Sequence, residues 1–271
     1  MTDRYGVIGH PINHSKSPVI HRLFAAETGE NLRYDAFDVA PEQLAQQLKS
    51  FARQGFRGLN VTVPHKQKIA DLVDQLTDRA HLAGAVNTII IAADGRLDGD
   101  NTDGVGLLTD LTGNLNVTLK EARVLVLGAG GATRGIVPAL LGSGPRDLRI
   151  ANRGIDRAHD LAEHFSKLGK IVPCRFDELD GQRFEVVINA TSAGLHGETP
   201  PFPESILTPD TICYDLSYAM ADTPFVAWAK RHGVKHTHQG WGMLVEQAAE
   251  AFFIWRGVRP ETKPVREKLP P

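Results

Sequence analysis

Short apolar runs alternate with amphipathic segments along most of the chain, and the clearest example lies in its middle. Residues 124–127 form a continuous run, Val-Leu-Val-Leu, that ends abruptly at Gly128. A run without polar alternation is typical of a parallel strand buried on both faces. Small residues follow, and a helix-compatible segment continues to Leu141. The pattern therefore predicts a strand, a glycine turn and a helix in succession.

The same reasoning predicts elements on both sides of this turn. In the first half we expect a helix closed by Gly29 at residues 19–28, and strands at residues 5–8, 34–39, 58–63 and 85–91. In the second half, helices are predicted from Thr223 to His232 and from Met243 to Arg256, and strands at residues 148–151, 171–174, 186–190 and 211–216. Alternating strands and helices indicate an α/β fold.

The chain has 271 residues, which exceeds one average domain and suggests two. The first half predicts a small α/β domain without a nucleotide signature. The second half predicts a Rossmann-like, doubly wound domain, because its glycine turn joins a buried strand to a helix. In such a unit the pyrophosphate of a dinucleotide sits on the helix N-terminus. A glycine turn also occurs where a strand merely packs close to a helix. Dinucleotide binding is favoured here because the turn lies between a predicted buried strand and a predicted helix.

The charge balance excludes some classes of partner. The 30 Lys and Arg residues nearly match the 32 Asp and Glu residues, so charge gives no case for nucleic acid or an anionic membrane. With no signal-peptide pattern and no apolar run of membrane-spanning length, we expect a cytoplasmic protein. Cys174 and Cys213 lie far apart in apolar runs and are expected to be reduced core thiols. His236 and His238 share a strand face without a third ligand, so no metal site is expected.

Two arginines indicate which dinucleotide is bound. Asn152 and Arg153 directly follow the predicted strand at residues 148–151, and Arg157 lies one helical turn after Arg153. An NAD site usually has Asp or Glu here to bind the ribose 2′-hydroxyl, whereas a 2′-phosphate pairs with guanidinium groups. The alternative is two solvated arginines at a helix start. We predict NADP(H) rather than NAD.

A first polar cluster lies at residues 13–18. Ser17 followed by Pro18 is a common helix start, with serine as the N-cap and proline in the first turn. That role does not explain Ser15, and two hydroxyls beside a helix N-terminus are able to bind a carboxylate. On spacing alone the structural and functional interpretations are equally good.

A second polar cluster covers residues 60–66. Asn60 and Thr62 lie two apart on a predicted strand, so both side chains project from one face. Lys66 falls in the first turn of the segment that begins at Pro64, where the helix dipole disfavours a cation and primes it for proton transfer. The alternative for Lys66 is an ordinary solvated charge.

A third cluster comprises Asn87 and residues 98–104, which read Asp-Gly-Asp-Asn-Thr-Asp-Gly. A calcium loop is excluded because Asp103 occupies the position that needs glycine, and Thr109 the position of the bidentate glutamate. Caps and turns use one or two such side chains. The polar side chains of the cluster that caps and turns do not use favour a site for a polyhydroxylated ligand, or a catalytic carboxylate.

Taken together, these motifs make the chain resemble the shikimate dehydrogenase family nearly end to end. The motifs occur in order and comprise Ser15-Lys16-Ser17-Pro18, Asn60-Val61-Thr62-Val63-Pro64-x-Lys66, Gly84-Ala85-Val86-Asn87-Thr88, Gly99-Asp100-Asn101-Thr102-Asp103-Gly104, Gly128-Ala129-Gly130-Gly131-Ala132, Asn152-Arg153, Asn189-Ala190-Thr191 and Gly240-x-Gly242-Met243-Leu244-Val245-x-Gln247. A series of this kind is far more specific than one glycine turn.

The resemblance implies NADPH-dependent, reversible reduction of 3-dehydroshikimate to shikimate, a step toward aromatic amino acids. It implies Lys66 and Asp103 as the catalytic pair. Residues implied to bind substrate are Ser15, Ser17, Asn60, Thr62, Asn87, Asp103, Tyr218 and Gln247. Residues implied or predicted to bind the cofactor are Gly128, Ala129, Gly130, Gly131, Ala132, Asn152, Arg153, Arg157, Thr191, Gly240 and Met243.

The resemblance also implies a domain order. It returns the last helix to the first domain, so that residues 1–103 with 239–271 bind substrate and residues 104–238 bind NADP. Thr191 to Gly194 follows a predicted strand at a carboxyl end, where open α/β sheets bind ligands. A monomer and a homodimer both remain open.

Three positions depart from the usual family pattern. Gly154 stands where threonine is common, Gln239 where aspartate often precedes Gly240, and Trp241 where leucine is common. None removes a catalytic group. Two alternatives remain: an NAD-linked quinate/shikimate dehydrogenase, which Arg153 disfavours, and a non-catalytic nucleotide sensor, which the presence of Lys66 and Asp103 disfavours.

Overall fold

The computed structural model describes residues 2–191 and 202–269. These residues divide into two compact units, each with its own six-stranded sheet. Unit 1 comprises residues 2–106 with 245–269, and unit 2 comprises residues 107–191 with 202–244. Ser192, Ala193 and Gly194, which were expected to continue the Thr191 loop, lie outside the described residues.

Unit 1 contains a mixed sheet. In the order β2-β1-β3-β5-β6-β4 its strands are β1 (Asp3–Gly9), β2 (Leu32–Asp38), β3 (Phe56–Val61), β4 (Gln75–Leu76), β5 (Thr88–Ile91) and β6 (Leu97–Asp100). β1 lies parallel to β2 and β3, whereas β5 is antiparallel to β3 and β6. The helices in the first part of the chain are α1 (Ser17–Thr28), α2 (Leu44–Arg53), α3 (Lys66–Ala70), α4 (Asp78–Ala83) and α5 (Asp103–Leu108), with a 3₁₀ turn at Pro41–Gln43. The boundary between Gly106 and Leu107 falls within α5.

Helix α1 shows how local sequence sets an element boundary. Gly29 adopts a left-handed conformation with φ 71° and ends the helix as predicted. The predicted N-cap is wrong, because Lys16 is the cap residue and Ser17 is the first helical residue. Instead, Ser15 Oγ accepts a hydrogen bond of 3.3 Å from the Ser17 backbone N–H. Ser15 thus satisfies a free donor of the first turn.

An aromatic cluster lies between α1, β2 and residues 252–255 of unit 1. We call His21, Phe24, Tyr34, Phe252 and Trp255 the aromatic cluster of unit 1. The imidazole of His21 stacks on Tyr34 with 4.1 Å between ring centroids and 6° between ring planes. The two phenylalanine rings and His21 itself are fully buried. Packing within this cluster holds α1 against the sheet.

Unit 2 has the doubly wound topology that the glycine turn predicted. All six strands are parallel in the order β12-β11-β10-β7-β8-β9, and they are β7 (Arg123–Leu127), β8 (Asp147–Ala151), β9 (Val172–Cys174), β10 (Val186–Asn189), β11 (Ile212–Asp215) and β12 (His236–Gln239). This is the strand order of a Rossmann fold, whose ligands bind at the carboxyl ends where the order reverses. That point lies between β7 and β10, and the predicted fold class is confirmed.

Helices cover the faces of the unit 2 sheet. They are α6 (Gly131–Gly142), α7 (Ile155–His164) and α8 (Pro224–Arg231), with 3₁₀ turns at Asp177–Leu179 and Glu204–Ile206 and a π-helix at Thr109–Asn114. Thr223 caps α8 as predicted, accepting a hydrogen bond from the Val226 N–H. The unit boundary falls within α9 (Trp241–Arg256), and α10 (Lys263–Lys268) follows in unit 1.

Three predicted properties depend on burial and composition. Cys174 and Cys213 are free, buried thiols, and burial raises their pKa values to about 11 and about 12. Among residues 2–191 and 202–269, no cluster of His, Cys, Asp and Glu is suited to a metal ion. No helix in the same residues is long and apolar enough to cross a membrane.

Candidate active site

Lys66 and Asp103 form a buried ion pair in unit 1. Lys66 is the first residue of α3 and Asp103 the first residue of α5, and Lys66 Nζ lies 2.6 Å from Asp103 Oδ2. The two side chains are 15% and 4% exposed, so the charges are largely removed from water. Among the described residues the ammonium is bonded only to Asp103, so it has further donors for a ligand.

Asn87 joins this pair to its surroundings. Its Nδ2 donates to Asp103 Oδ1 at 2.8 Å and to Thr102 Oγ1 at 2.9 Å. Its Oδ1 accepts hydrogen bonds from the Thr102 N–H and from the Thr88 hydroxyl, at 2.8 and 2.9 Å. Because both ends of the amide are engaged, the Asp103 carboxylate has a fixed orientation.

Asp100 holds the segment that leads to Asp103. Arg79 donates to both Asp100 oxygens, at 2.6 and 2.7 Å, and the Thr77 hydroxyl donates at 2.6 Å. Burial alone raises the pKa of Asp100, but the hydrogen bonds from Arg79 and Thr77 outweigh it and the pKa is lowered. Asn101 then accepts a hydrogen bond of 3.1 Å from the Asp103 N–H. Asp100 is therefore an anchor of the loop, with its carboxylate used internally.

Asn60 lies at the centre of a second polar group. The Tyr34 hydroxyl donates to Asn60 Oδ1 at 2.7 Å, and Asn60 Nδ2 donates to the Asn87 carbonyl at 3.3 Å. Burial raises the pKa of Tyr34 well above its usual value, with Ser17 close enough to oppose the shift. Thr62 comes just after β3, which ends at Val61, two residues earlier than the predicted strand. Tyr34, Asn60 and Asn87 are thus linked by hydrogen bonds, with Ser17 beside Tyr34.

Gln247 reaches this polar group from α9. Its Oε1 lies 3.4 Å from both Asn87 Nδ2 and Thr102 Oγ1. A Cβ at Gly106 would lie 2.6 Å from Gln247 Cβ and 2.8 Å from its backbone nitrogen. Only glycine at position 106 permits this approach of α5 and α9. Gln247 belongs to unit 1. The predicted domain order, with residues 1–103 and 239–271 binding substrate and residues 104–238 binding NADP, stays a prediction.

The glycine turn of unit 2 lies at the carboxyl end of β7. Gly128 has φ 103°, and a Cβ there would lie 3.0 Å from the Ala190 carbonyl oxygen. Gly130 is the N-cap of α6, and no described atom lies within 4 Å of an added Cβ, so its backbone is open to a ligand. Thr133, in place of the third glycine, donates to the Gly128 carbonyl at 2.8 Å. Ala129, Gly131 and Ala132 complete this turn and the first turn of α6.

Two exposed arginines follow β8. Asn152 Nδ2 donates to the Gly154 carbonyl at 2.8 Å and shapes the turn into α7. Arg153 and Arg157 are exposed, and neither guanidinium has a carboxylate partner in the part of the chain that the structure describes. Two unpaired guanidiniums at the carboxyl edge of a parallel sheet suit a phosphate dianion.

The other predicted ligands of unit 2 lie at the ends of β10, β11 and β12. The Thr191 hydroxyl donates to Asn189 Oδ1 at 2.8 Å. Gly240 N–H donates to the Ser217 carbonyl at 3.0 Å, and the buried Met243 N–H lies 3.3 Å from the Tyr214 hydroxyl. The Tyr218 ring packs edge-on against Trp241, with 5.9 Å between centroids. The binding roles predicted for Thr191, Tyr218, Gly240 and Met243 stay predictions.

Comparison with known proteins identifies the family. The shikimate dehydrogenase substrate binding domain matches residues 7–89, shikimate / quinate 5-dehydrogenase matches residues 111–196, and the shikimate 5′-dehydrogenase C-terminal domain matches residues 240–269. A curated relative, shikimate dehydrogenase (NADP(+)) of Alkalilimnicola ehrlichii, is 53% identical over 271 residues and 100% of both chains. The chain belongs to the shikimate dehydrogenase family. The resemblance inferred from the motifs is confirmed.

Solved structures of the shikimate dehydrogenase family share the fold. One is shikimate 5-dehydrogenase from Thermus thermophilus in complex with NADP(H) and shikimate, with a TM-score of 0.87, 34% identity and 98% of each chain covered. Another is shikimate 5-dehydrogenase from Listeria monocytogenes in complex with shikimate and NAD, with a TM-score of 0.85, 29% identity, and 98% of this chain and 96% of that chain covered.

Two residues that organise the site were not singled out by the sequence patterns. Tyr34 lies on β2, within the predicted strand at residues 34–39, and Arg79 lies on α4. A tyrosine at a strand position that is otherwise apolar gives a weak signal, because a buried hydroxyl needs a partner. Arg79 gave none, since its partners Asp100 and Glu250 are 21 and 171 residues away in the chain.

Proposed function

We propose that Lys66 and Asp103 are the catalytic pair with which this chain interconverts 3-dehydroshikimate and shikimate. The observation that carries the assignment is the ion pair of 2.6 Å, since it buries an ammonium beside acceptors suited to a hydroxylated ring. The reaction itself follows from the family and its curated members. The chain reduces 3-dehydroshikimate to shikimate with NADPH, and it oxidises shikimate with NADP⁺.

The pair supplies charge and orientation at the reacting oxygen. NADPH, when bound, supplies a hydride. The carbonyl oxygen of the substrate then gains negative charge, and a hydrogen bond from Lys66 Nζ stabilises that charge in a low-dielectric site. Asp103 fixes the ammonium through Oδ2, while Asn87 fixes Asp103 through Oδ1. A proton delivered through Lys66 completes the alcohol.

The substrate ring is assigned to the polar side chains around this pair. Thr62, Asp103 and Gln247 offer donors and acceptors to ring hydroxyls, and Ser15 and Ser17 offer hydroxyls to the carboxylate. Asn87, whose amide is engaged by Thr88, Thr102 and Asp103, is assigned to the ring hydroxyls by resemblance. Asn60 has its amide engaged by Tyr34 and by the Asn87 carbonyl, so we assign it to holding Asn87 as well as to the substrate. Tyr218 is assigned to the substrate by resemblance alone.

The cofactor is assigned to unit 2. Gly128 to Ala132 would approach the pyrophosphate, and Asn152, Arg153 and Arg157 would hold the 2′-phosphate at the ends of β7 and β8. Thr191, Gly240 and Met243 complete the proposed set. A cytoplasmic location and a monomeric or homodimeric state stay predictions.

Substitutions at the pair test the mechanism. Lys66→Ala should lower kcat by roughly 10²–10⁴, the usual effect of removing a positioned acid–base group. Asp103→Asn should also slow turnover, and the double variant should lose less than the product of the two effects, because the pair acts as a unit. Both variants should still bind NADP⁺ in a fluorescence titration.

Lys68 provides the matched control. It lies on the same helix, is 65% exposed and forms an ion pair with Asp71 at 3.3 Å. Lys68→Ala should leave kcat unchanged. Turnover of shikimate within a few-fold of the parent in both pair variants would remove Lys66 and Asp103 from catalysis. Assays of shikimate and quinate, each with NADP⁺ and NAD⁺, decide between this activity and an NAD-linked quinate/shikimate dehydrogenase.

A further inference from the structure

A buried carboxylate in unit 2 takes no part in the proposed chemistry. Asp215 is the last residue of β11 and is fully buried. Three donors converge on it: the Thr223 hydroxyl at 2.6 Å, the Ser217 N–H at 3.0 Å and Asn189 Nδ2 at 3.1 Å. Burial raises the pKa of Asp215 despite these donors. A buried carboxylate of this kind is costly, so its presence calls for a role besides stability.

One of the three donors leads to the proposed cofactor site. Asn189 ends β10, next to β11 in the sheet. With its Nδ2 held by Asp215, its Oδ1 is turned the opposite way and accepts from both the N–H and the hydroxyl of Thr191, at 3.2 and 2.8 Å. The carboxylate therefore selects which end of the Asn189 amide faces Thr191.

The other two donors come from different segments. The Ser217 N–H belongs to the turn after β11, directly before Tyr218. The Thr223 side chain caps α8, so the carboxylate also fixes the residue just before that helix. Asp215 is the acceptor shared by three segments at the carboxyl edge of the unit 2 sheet. Only a carboxylate has enough lone pairs to accept from all three without presenting a donor.

We propose that Asp215 is a positioning residue for the NADP site, which orients Thr191 through the side chain of Asn189. The inference rests on the proposed role of Thr191 in cofactor binding and extends it to a residue that touches no ligand. Asparagine at position 215 would replace one of the two acceptor oxygens with an NH₂ group, although the donors use both: Asn189 and Ser217 meet Oδ1, and the Thr223 hydroxyl meets Oδ2. The Asn189 amide then keeps at best a neutral acceptor, whose hydrogen bond is weaker than one to a carboxylate, and the orientation of Thr191 is less firmly held.

The test compares the NADP⁺ affinity of variants of the full chain. Asp215→Asn should weaken NADP⁺ binding about three- to tenfold in a fluorescence titration, the usual size of a lost hydrogen bond. The kcat at saturating substrates should change much less, because Lys66 and Asp103 belong to unit 1. If Asp215 acts through Thr191, the loss caused by Asp215→Asn should shrink in a Thr191→Val background.

Thr211 provides the control for a simple loss of stability. It is buried directly before the opposite end of β11, where its hydroxyl donates to the Phe184 carbonyl at 3.0 Å. Thr211→Val should lower the melting temperature without changing NADP⁺ affinity. Asn189→Ala is the second variant in case Asp215→Asn does not fold, and it should weaken NADP⁺ binding to a similar extent.

The outcomes separate the inference from the function on which it rests. Unchanged affinity in Thr191→Val removes Thr191 from the NADP site. It overturns both the proposed cofactor role of Thr191 and the positioning role of Asp215. Reduced affinity in Thr191→Val, with unchanged affinity in Asp215→Asn or in Asn189→Ala, overturns the positioning role and leaves the proposed function in place. The positioning role is also overturned if Asp215→Asn lowers NADP⁺ affinity by the same factor in the parent and in the Thr191→Val background.

Discussion

Arg153 is a cation with no carboxylate partner among the described residues. Its guanidinium and that of Arg157 lie exposed after β8, while nearby Arg149 is paired with Asp147 at 2.9 Å. The Gly154 position offers no hydroxyl, so the two arginines carry the proposed recognition of the 2′-phosphate. A charge-assisted hydrogen bond of this type contributes about 1.5–3 kcal/mol.

Arg153→Ala should therefore weaken NADP⁺ binding about ten- to a hundredfold and leave NAD⁺ binding nearly unchanged. Isothermal titration with both cofactors measures the difference. Arg183→Ala is a suitable control, because Arg183 is exposed and precedes the amino end of β10. An equal loss of NADP⁺ and NAD⁺ affinity would assign Arg153 to the fold rather than to the phosphate.

Side chains that face solvent or a ligand were easier to predict than those that hold them. Lys66, Asp103 and Arg153 are unusual residues for their local patterns, and the sequence alone raised each of them. Asp215 looked like the end of an apolar strand, because its three donors come from segments up to 26 residues away. Partners of a buried polar group depend on tertiary contacts that no local pattern encodes.

Helix α1 carries a titratable side chain into an apolar environment. Burial lowers the pKa of His21 from 6.5 to about 3, and the nearby Asn60 side chain opposes this only in part. The folded-state pKa is thus below the unfolded value, so the neutral imidazole is favoured by folding. Its contribution to stability is complete above pH 6.5 and is lost as the pH falls toward 3.

The pH dependence of unfolding should reveal His21. Between about pH 6 and about pH 4.5, the free energy of unfolding of the parent should fall more steeply than that of His21→Phe, by about 1.4 kcal/mol per pH unit. Urea titrations at several pH values measure the two slopes. His81→Phe makes the same change at an exposed position of unit 1 and should keep the parent's slope. Equal slopes for the parent and His21→Phe would mean that His21 is not buried as a neutral ring.

Elements with strong periodicity were predicted well, and short or irregular ones were not. The predicted strands of unit 2 match β7, β8, β10 and β11 to within one residue at each end, because strands inside a parallel sheet leave runs in which most residues are apolar. β4 has two residues, too few for a pattern, and the predicted strand at 85–91 begins only at Thr88. The π-helix at Thr109–Asn114 has no sequence signal that separates it from α5.

At the scale of the molecule, the two units have separate sheets and separate apolar cores. The proposed function gives each unit its own ligand, shikimate for unit 1 and NADP⁺ for unit 2. A ligand that binds only the folded state stabilises it increasingly as its concentration rises, by about 2.7 kcal/mol at roughly one hundred times Kd.

Hydrogen exchange should separate the two assignments. NADP⁺ alone should slow amide exchange mainly at the ends of β7 and β8 and in the first turn of α6. Shikimate alone should slow it mainly in α3, α5 and the part of α9 around Gln247. Mass spectrometry of peptides from both units measures the pattern. Protection by NADP⁺ confined to unit 1 would contradict the assignment of the cofactor to the Rossmann-like unit.

The discontinuity of unit 1 has a consequence for the order in which the chain folds as it leaves the ribosome. Residues 107–244 emerge as one uninterrupted stretch that contains the six strands of their sheet. The first 106 residues emerge earlier but lack Trp255, which donates to the Ile89 carbonyl at 3.1 Å, and Arg256, which pairs with Asp3 and Glu30. Until α9 is synthesised, the part of the aromatic cluster on α1 and β2 has no Phe252 or Trp255 to cover it. Residues 2–106 are therefore synthesised before unit 2 but completed after it, and until then they expose an apolar surface that chaperones are able to bind.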